Sequence, residues 1–470
     1  MNRISIIIKK YLDENHQSIE MFSNACGIGR GALRRIVYGN KMISIEQLDR
    51  ITDALEMPVG TLYESYCEDC MTCNRGWKWL RPLFLRCDEL ELYNDLRKIS
   101  RIIMQNSKFI QGTFEIAESF FDQDKHNSAT ILFESIVDVD KGSHFERSAI
   151  SHYRLFQIVL YHNFGSPYVA HRFIPFRARL PEAYALDGLM LLTENFAALE
   201  RWEDVEKYAE EMHLLAYDIY QSKLKNTKKF RNSLRHPLVY YYGRALLLKS
   251  IAYEYQGMYK ECMRCIAGYV DLSWFEGLND EGRNEVERLS LFARGNMLCV
   301  QVKMGDQEVI PEYASFLREN PQEIVAGLIT MLISANEYHY SIDQTLQLFS
   351  IESIESIDFV DIDSSESYYK KFFSRHRFCK FFYHYAEYCF VRGHYQEGIR
   401  NILLSLEVAI EMKNNRIMVL CMTWFEKYRE HASLEQTEVY DLLCKGVQNN
   451  THEERPESLE SFWNFLMSTL

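Results

Sequence analysis

At 470 residues, with 47% hydrophobic and 25% charged side chains, the chain has the composition of an ordinary globular protein, which excludes disorder as its default state. Nine prolines and 21 glycines are too few for many short strands and tight turns, so the reading is all-helical. A net charge of −13 excludes a protein that coats nucleic acid with its whole surface, and any DNA contact has to be local.

No stretch approaches the roughly 20 apolar residues that cross a bilayer, and Ile4–Ile8, followed at once by Lys9 and Lys10, is too short for a signal peptide. No membrane partner is expected and the expected compartment is the cytoplasm. There the 12 cysteines stay reduced, each read first as a small buried hydrophobe.

Apolar residues at Ile4, Ile7, Ile8 and Tyr11 mark one face of an opening helix that ends at Asp13-Glu14-Asn15. Ser18 caps a second helix with Phe22, Ala25 and Cys26 on its apolar side, and Gly27 stops it. A third helix runs from Gly29 to Tyr38 with Leu33 and Ile36 inward, closing at Gly39-Asn40. Ser44-x-x-Gln47 is a capping box ahead of Leu48, Ile51 and Leu55, and a fifth short helix from Pro58 holds Leu62.

Short helices joined by a tight glycine turn describe a helix-turn-helix, whose second helix enters the major groove. Here that helix turns Arg30, Gly31, Arg34 and Arg35 outward. A guanidinium can donate two hydrogen bonds to guanine O6 and N7. Ser18, at a helix start, and Asn40 and Lys41, just past the third helix, are placed to meet phosphates. Gly27-x-Gly29-x-Gly31 is not a nucleotide-binding loop, because no strand precedes it.

The run Ser18-x-x-x-Phe22-Ser23-x-x-Cys26-Gly27-Ile28-Gly29-Arg30-x-x-Leu33-x-Arg35-Ile36-x-x-Gly39, continued by Ser44-x-x-x-Leu48-x-x-Ile51-x-x-Ala54-Leu55-x-Met57-Pro58, resembles the phage-repressor (Cro/C1-type, XRE) helix-turn-helix. It departs from that pattern at Ser23 (usually alanine), Cys26 (usually leucine) and Gly29 (usually a Ser or Thr cap).

Beyond residue 65 a tetratricopeptide-like pattern recurs, in which paired helices alternate small and aromatic residues. Ala117 and Phe120 precede Ala129, Phe133 and Ile136; Thr193 and Phe196 precede Trp202, Val205, Ala209 and Met212. Ser250 and Tyr253 precede Gly257-x-Tyr259, Cys262 and Ile266; Ala386 precedes Gly393-x-Tyr395, Gly398, Ile402 and Ser405. Weaker copies cover Ile158–Ile174, Met297–Leu317 and Ile333–Phe349. Stacked hairpins make a curved solenoid whose first helices line a concave face suited to an extended peptide.

The expected fold is therefore all-α. Residues 1–65 are the helix-turn-helix domain, 66–108 a linker with the first helices of the repeat region, and 109–470 a right-handed superhelix of tetratricopeptide-like hairpins. This combination resembles the peptide-pheromone receptors of Gram-positive bacteria and their phages, the RRNPP family that includes the arbitrium receptors. The resemblance implies a cytoplasmic homodimer that binds a double-stranded DNA operator and whose repeats bind a short signalling peptide that switches operator binding. Polar residues on the expected first helices are the groove candidates: Arg154, His162, Asn163, Glu194, Arg244, Asn296, Asn336 and Glu387. The alternative is a protein-binding adaptor with a vestigial helix-turn-helix.

Cys67-x-x-Cys70-x-x-Cys73, with Cys87 further on, has spacing that zinc uses. Cys87, however, lies in an apolar helical run and no second C-x-x-C follows, so a linker with packed or free thiols is favoured and no metal is assigned. Cys262-x-x-Cys265 is core. Asp358, Asp361, Asp363 and Glu366 lack the central glycine of a calcium loop and read as a solvated connection. Lys223, Lys225, Lys228, Lys229, Arg231 and Arg235 read as a charged surface loop ahead of a DNA flank contact. With no H-E-x-x-H, G-x-S-x-G or P-loop motif, neither an enzyme nor a cofactor is expected.

Overall fold

The computed structural model describes residues 2–39, 41–139, 145–162, 167–223, 234–349 and 367–449, and among these all regular structure is helical. The chain divides into two compact units, residues 1–252 and 253–470. No helix among the described residues is long and apolar enough to cross a membrane.

The first unit opens with α1 (Arg3–Glu14), α2 (Ile19–Cys26), α3 (Arg30–Val37), α4 (Ile45–Ala54) and α5 (Tyr63–Thr72). Side chains start three of these helices by accepting orphan N–H groups: Asn2 for α1, Ser18 for α2, and for α4 the reciprocal box of Ser44 and Gln47. Gly27 ends α2 in the left-handed conformation, as its position suggested. Two expectations fail here. Ala25 is exposed, because α2 buries Phe22, Ser23 and Cys26 instead. The fifth helix begins at Tyr63, after a turn in which the Thr61 N–H and hydroxyl both donate to the Pro58 carbonyl.

Six further helices and their successors complete this unit: α6 (Trp77–Glu89), α7 (Tyr93–Met104), α8 (Ile110–Asp122), α9 (His126–Val139), α10 (Phe145–His162) and α11 (Pro167–Phe173), then α12 (Glu182–Ala198), α13 (Trp202–Lys223) and α14 (Leu238–Tyr255). Residues 66–108 are helical almost throughout. One core of buried side chains runs unbroken from Ile4 through Tyr63, Cys67, Phe84 and Ile99 to Ile158, and a second gathers Ala149 to Ala252; Phe114 packs against both.

The second unit comprises α15 (Tyr259–Ala267), α16 (Asp280–Lys303), α17 (Ile310–Glu319), α18 (Ile324–Glu337), the single turn α19 (Asp343–Leu346), α20 (Ser367–Val391), α21 (Tyr395–Glu411), α22 (Asn415–Lys427) and α23 (Leu434–Asn449). Its core runs from Leu298 to Leu443. The small residues that mark the repeats are packing positions: Ala117, Ala129, Thr193, Ala209, Cys262, Ala386 and Ser405 are all buried. A Cβ on Gly398 would lie 2.6 Å from the Phe390 ring, so only glycine lets α20 and α21 approach this closely. The copy laid over Ile333–Phe349 fails as a pair, since its second helix is only α19.

Helix after helix ends in one way. A residue takes positive φ and the next N–H reaches the carbonyl five residues back: Leu92 to Cys87, Lys125 to Phe120, Arg201 to Phe196, Met258 to Tyr253, His394 to Cys389 and Asn414 to Ala409. Ion pairs tie elements of the first unit, several of them 34–39 residues apart in sequence, whereas Arg244–Glu194 spans 50. Arg97–Glu134 and Lys125–Asp88 span 37 residues, Arg154–Glu118 spans 36, Arg177–Glu211 34 and Lys249–Glu210 39.

Gly393 has φ +80° and open space around its Cβ position, so Gly393→Ala isolates the backbone cost and is expected to destabilise by about 1 kcal/mol. Gly398→Ala meets the Phe390 ring and is expected to cost about 1–3 kcal/mol, both measured by urea unfolding. His152 is buried and stacked 3.5 Å from Phe176, and desolvation lowers its pKa from 6.5 to about 4. Its neutral ring therefore stabilises the fold above pH 6.5, and that contribution is lost as pH falls towards 4, by roughly 3 kcal/mol. Melting followed from pH 7 to pH 4 should show the fall, and His152→Gln should flatten it.

Candidate functional site

The α3 helix presents its apolar stripe, Leu33, Ile36 and Val37, to α1 and α2, and all three are buried. Its opposite stripe, Gly31, Arg34, Arg35 and Tyr38, is exposed at the i, i+3, i+4, i+7 spacing of a single face. Arg34 and Arg35 form no ion pair among the described residues. Arg30 differs, since its guanidinium lies 3.2 Å from the Glu20 carboxylate on α2, with both side chains well exposed. Lys9 of α1 sits over the Tyr38 ring at 5.0 Å, which adds a cation and an aromatic edge that the sequence reading passed over.

The supports beneath this face are hydrogen bonds to backbone carbonyls. Ser23 Oγ donates to the Ile28 carbonyl at 2.6 Å, so the hydroxyl that replaces the usual alanine fixes the turn between α2 and α3. Ser5 Oγ donates to Ile36 O at 2.8 Å and ties α1 to the end of α3, and the Tyr66 hydroxyl donates to Ile43 O at 3.0 Å. At Gly29 no side chain caps α3, and a Cβ at Gly31 would meet nothing within 4 Å, so the start of the helix is open to close approach. Ser18 Oγ accepts from Met21 N at 3.2 Å, which leaves its proton for an outside acceptor. Lys41 is partly exposed, and Asn40 lies outside the described residues.

The helix α5 holds the group from the far side. Asp69, nearly buried, accepts from Arg3 N at 2.7 Å and Ile4 N at 3.1 Å, placing a carboxylate at the positive end of α1, and Arg3 pairs with Glu68. The Tyr63 hydroxyl and Arg86 Nε both donate to Asp49, at 2.6 and 2.9 Å, joining α4, α5 and α6. Burial keeps the Tyr63 hydroxyl well above its ordinary pKa, and the hydrogen bond to Asp49 reinforces this, so it remains a donor. The cysteines of this stretch are packing groups: Cys67, Cys70 and Cys87 are fully buried, and burial pushes the Cys70 and Cys87 thiols up to about 12. Cys73 is exposed, and no three His, Cys, Asp or Glu among the described residues are grouped to hold a metal ion.

Of the groove candidates, the structure brings together two pairs. Arg244 Nη2 donates to Glu194 at 3.3 Å, with Arg244 Nε buried and unpaired. Asn336 Nδ2 donates to the His384 carbonyl at 3.2 Å and to Glu387 at 3.4 Å, while its own carbonyl oxygen is buried without a partner. Arg154 is already committed, donating to both Glu118 oxygens at 2.9 and 2.8 Å and to Gln157 at 3.0 Å. Asn296 donates to the Tyr269 hydroxyl at 2.9 Å. His162 closes α10, and Asn163 lies outside the described residues, as do the acidic run Asp358–Glu366 and the basic positions Lys225–Arg231.

No protein-family model, curated protein or solved structure matches the chain. The site is therefore read from its own geometry.

If Asp69 is what seats α1, Asp69→Ala should lower unfolding stability by about 1–3 kcal/mol, since two N–H groups, that of Ile4 buried, lose a charged acceptor. Amide exchange at Arg3 and Ile4 should rise with it, and unchanged exchange would show that α1 is held by its apolar face alone.

Proposed function

We propose that the chain is a cytoplasmic, homodimeric DNA-binding transcription regulator. In this reading α2 and α3 are a helix-turn-helix, and the helix pairs beyond them are tetratricopeptide-like repeats that bind a short signalling peptide and so switch operator binding. The observation that carries it is the outward stripe of α3. Two guanidinium groups without an acid partner among the described residues, a glycine with open space and an exposed tyrosine stand on one face of a helix seated by Leu33, Ile36 and Val37. Arg34 and Arg35 would read base edges; Gly31 would admit the phosphate backbone; Ser18, Lys41 and Asn40 would meet phosphates. The 34–39 residue separation shared by five ion pairs of the first unit supports the repeat reading, because each repeat would then touch its neighbour through similar positions, although Arg244–Glu194 spans 50.

A second reading, a protein-binding adaptor with a vestigial helix-turn-helix, is favoured by the charge of the first 65 residues. They carry eight basic and eight acidic side chains, and Glu20 neutralises Arg30.

Gel-shift titration with the duplex upstream of the chain's own gene separates the two. The regulator reading expects sequence-specific binding that weakens steeply with salt, and Arg34→Ala and Arg35→Ala each lowering affinity by about 1–3 kcal/mol. Gly31→Ala should weaken binding while raising helix stability by about 1 kcal/mol, a combination that no packing defect produces. Absence of binding to any duplex supports the adaptor.

A further inference from the structure

Most carboxylates that link elements of the first unit face a cation, although Asp69 accepts from two backbone N–H groups instead. Asp88, Glu118, Glu134, Glu194, Glu210 and Glu211 each face a lysine or arginine of another helix. Asp187, on α12, has no ion pair among the described residues. Its single hydrogen bond comes from a neutral donor, the hydroxyl of Tyr241 on α14. It is partly buried, with Tyr153 and Tyr241 fully buried beside it and Tyr184 one turn away on its own helix. Tyr153 and Tyr184 meet edge to face at 5.8 Å.

The cations near Asp187 do not pair with it. Arg154 lies within its field, but that guanidinium is held by Glu118 and Gln157. Arg235 and His236 act on it more strongly than Arg154 does, though neither forms an ion pair with it among the described residues. Desolvation outweighs all of these and holds the carboxyl above its ordinary pKa. A partly buried carboxylate without a countercharge weakens a fold, and an amide or an apolar side chain in its place would not.

The neighbouring site shows what such a carboxylate takes. The Arg154 guanidinium sits between the Phe121 ring at 4.3 Å and the Tyr184 ring at 5.4 Å, with both Glu118 oxygens accepting from it. A carboxylate beside aromatic rings is the arrangement that recognises guanidinium and ammonium groups. At Arg154 the cation and the carboxylate are both in place, whereas at Asp187 no described residue supplies the cation.

We propose that Asp187, with the partly exposed Tyr184 ring one turn away, is a subsite for the guanidinium or ammonium group of a bound peptide, and that it selects the peptide by charge. This rests on the repeats being the peptide-binding part of the chain. None of the groove candidates read from the sequence includes it.

The test has one arm that needs no ligand. The amide of Asp187→Asn still accepts from Tyr241 and removes the charge that desolvation penalises, so at pH 7 the full-length variant should melt at the same temperature as wild type or higher. A lower midpoint would make the carboxylate a structural strut and overturn the proposal. In the second arm, three pools of acetylated, amidated hexapeptides, each with arginine, lysine or citrulline at one scanned position and small apolar residues elsewhere, are titrated calorimetrically, along with a citrulline pool bearing a free amino terminus. Arginine, lysine or free-amine peptides are expected to bind wild type at least tenfold more tightly than the acetylated citrulline pool, and to lose that preference in Asp187→Asn. The pool that wins says whether a side chain or the terminus is the occupant. Equal binding of charged and neutral pools, or a preference that survives in Asp187→Asn, overturns this subsite and leaves the peptide reading standing. No binding by any pool overturns both.

Discussion

Two backbone N–H groups at the start of α1 end on one nearly buried carboxylate, Asp69, 65 and 66 residues further along the chain. Exposed, that contact would contribute little. Sheltered as it is, it satisfies donors that water cannot reach and places a negative charge at the positive end of a helix dipole. It seats α1, and α1 in turn supports α3 through Ser5 and the Ile36 carbonyl. The orientation of the exposed arginines is thereby set by a residue well outside the segment that carries them.

The same contact makes a hinge at residue 65 an unsuitable device for this chain. The buried core passes from Ile4 to Ile158 without a gap, with Tyr63, Tyr66, Cys67 and Cys70 of α5 belonging equally to the helices before and after them. If ligand binding alters the α3 face, the displacement is carried by packed helices moving together, because α5 itself is part of the core on both sides.

Through the rest of the first unit the architecture depends on two repeated devices, the left-handed turn that ends helices and the cation–carboxylate rung between elements. The first satisfies terminal carbonyls, and where Asp124, Glu200 or Lys413 rather than glycine takes the positive φ it does so at a cost in backbone strain. The second is where the molecule departs from its own habit. Arg154 and Glu118 complete a rung, whereas Asp187 has only a tyrosine hydroxyl, and the difference between these adjacent sites distinguishes a strut from a place where something else belongs.

Helix positions were legible because they depend on local physics: capping at Ser18 and Ser44, the stop at Gly27, and the 3.6-residue spacing of Leu33 with Ile36 and of Leu48 with Ile51. The small-residue positions of the repeats were legible for the same reason, since close helix approach excludes a side chain at Gly398 whatever the partner. Ala25 and the start of α5 were not, because which apolar side of a short helix is buried depends on the helices around it. Nor was the fate of polar groups: Arg154, nominated for a ligand, is taken by Glu118, and Asp187, passed over, has no ion pair among the described residues. By itself the sequence determined an all-helical chain, the extents of its first four helices and the outward arginines of α3, all consequences of neighbours along the chain. Only the tertiary structure decided that α5 locks α1, that the cysteines of α5 and α6 are core, and which charges find partners, because those contacts join residues tens of positions apart whose meeting no local pattern encodes.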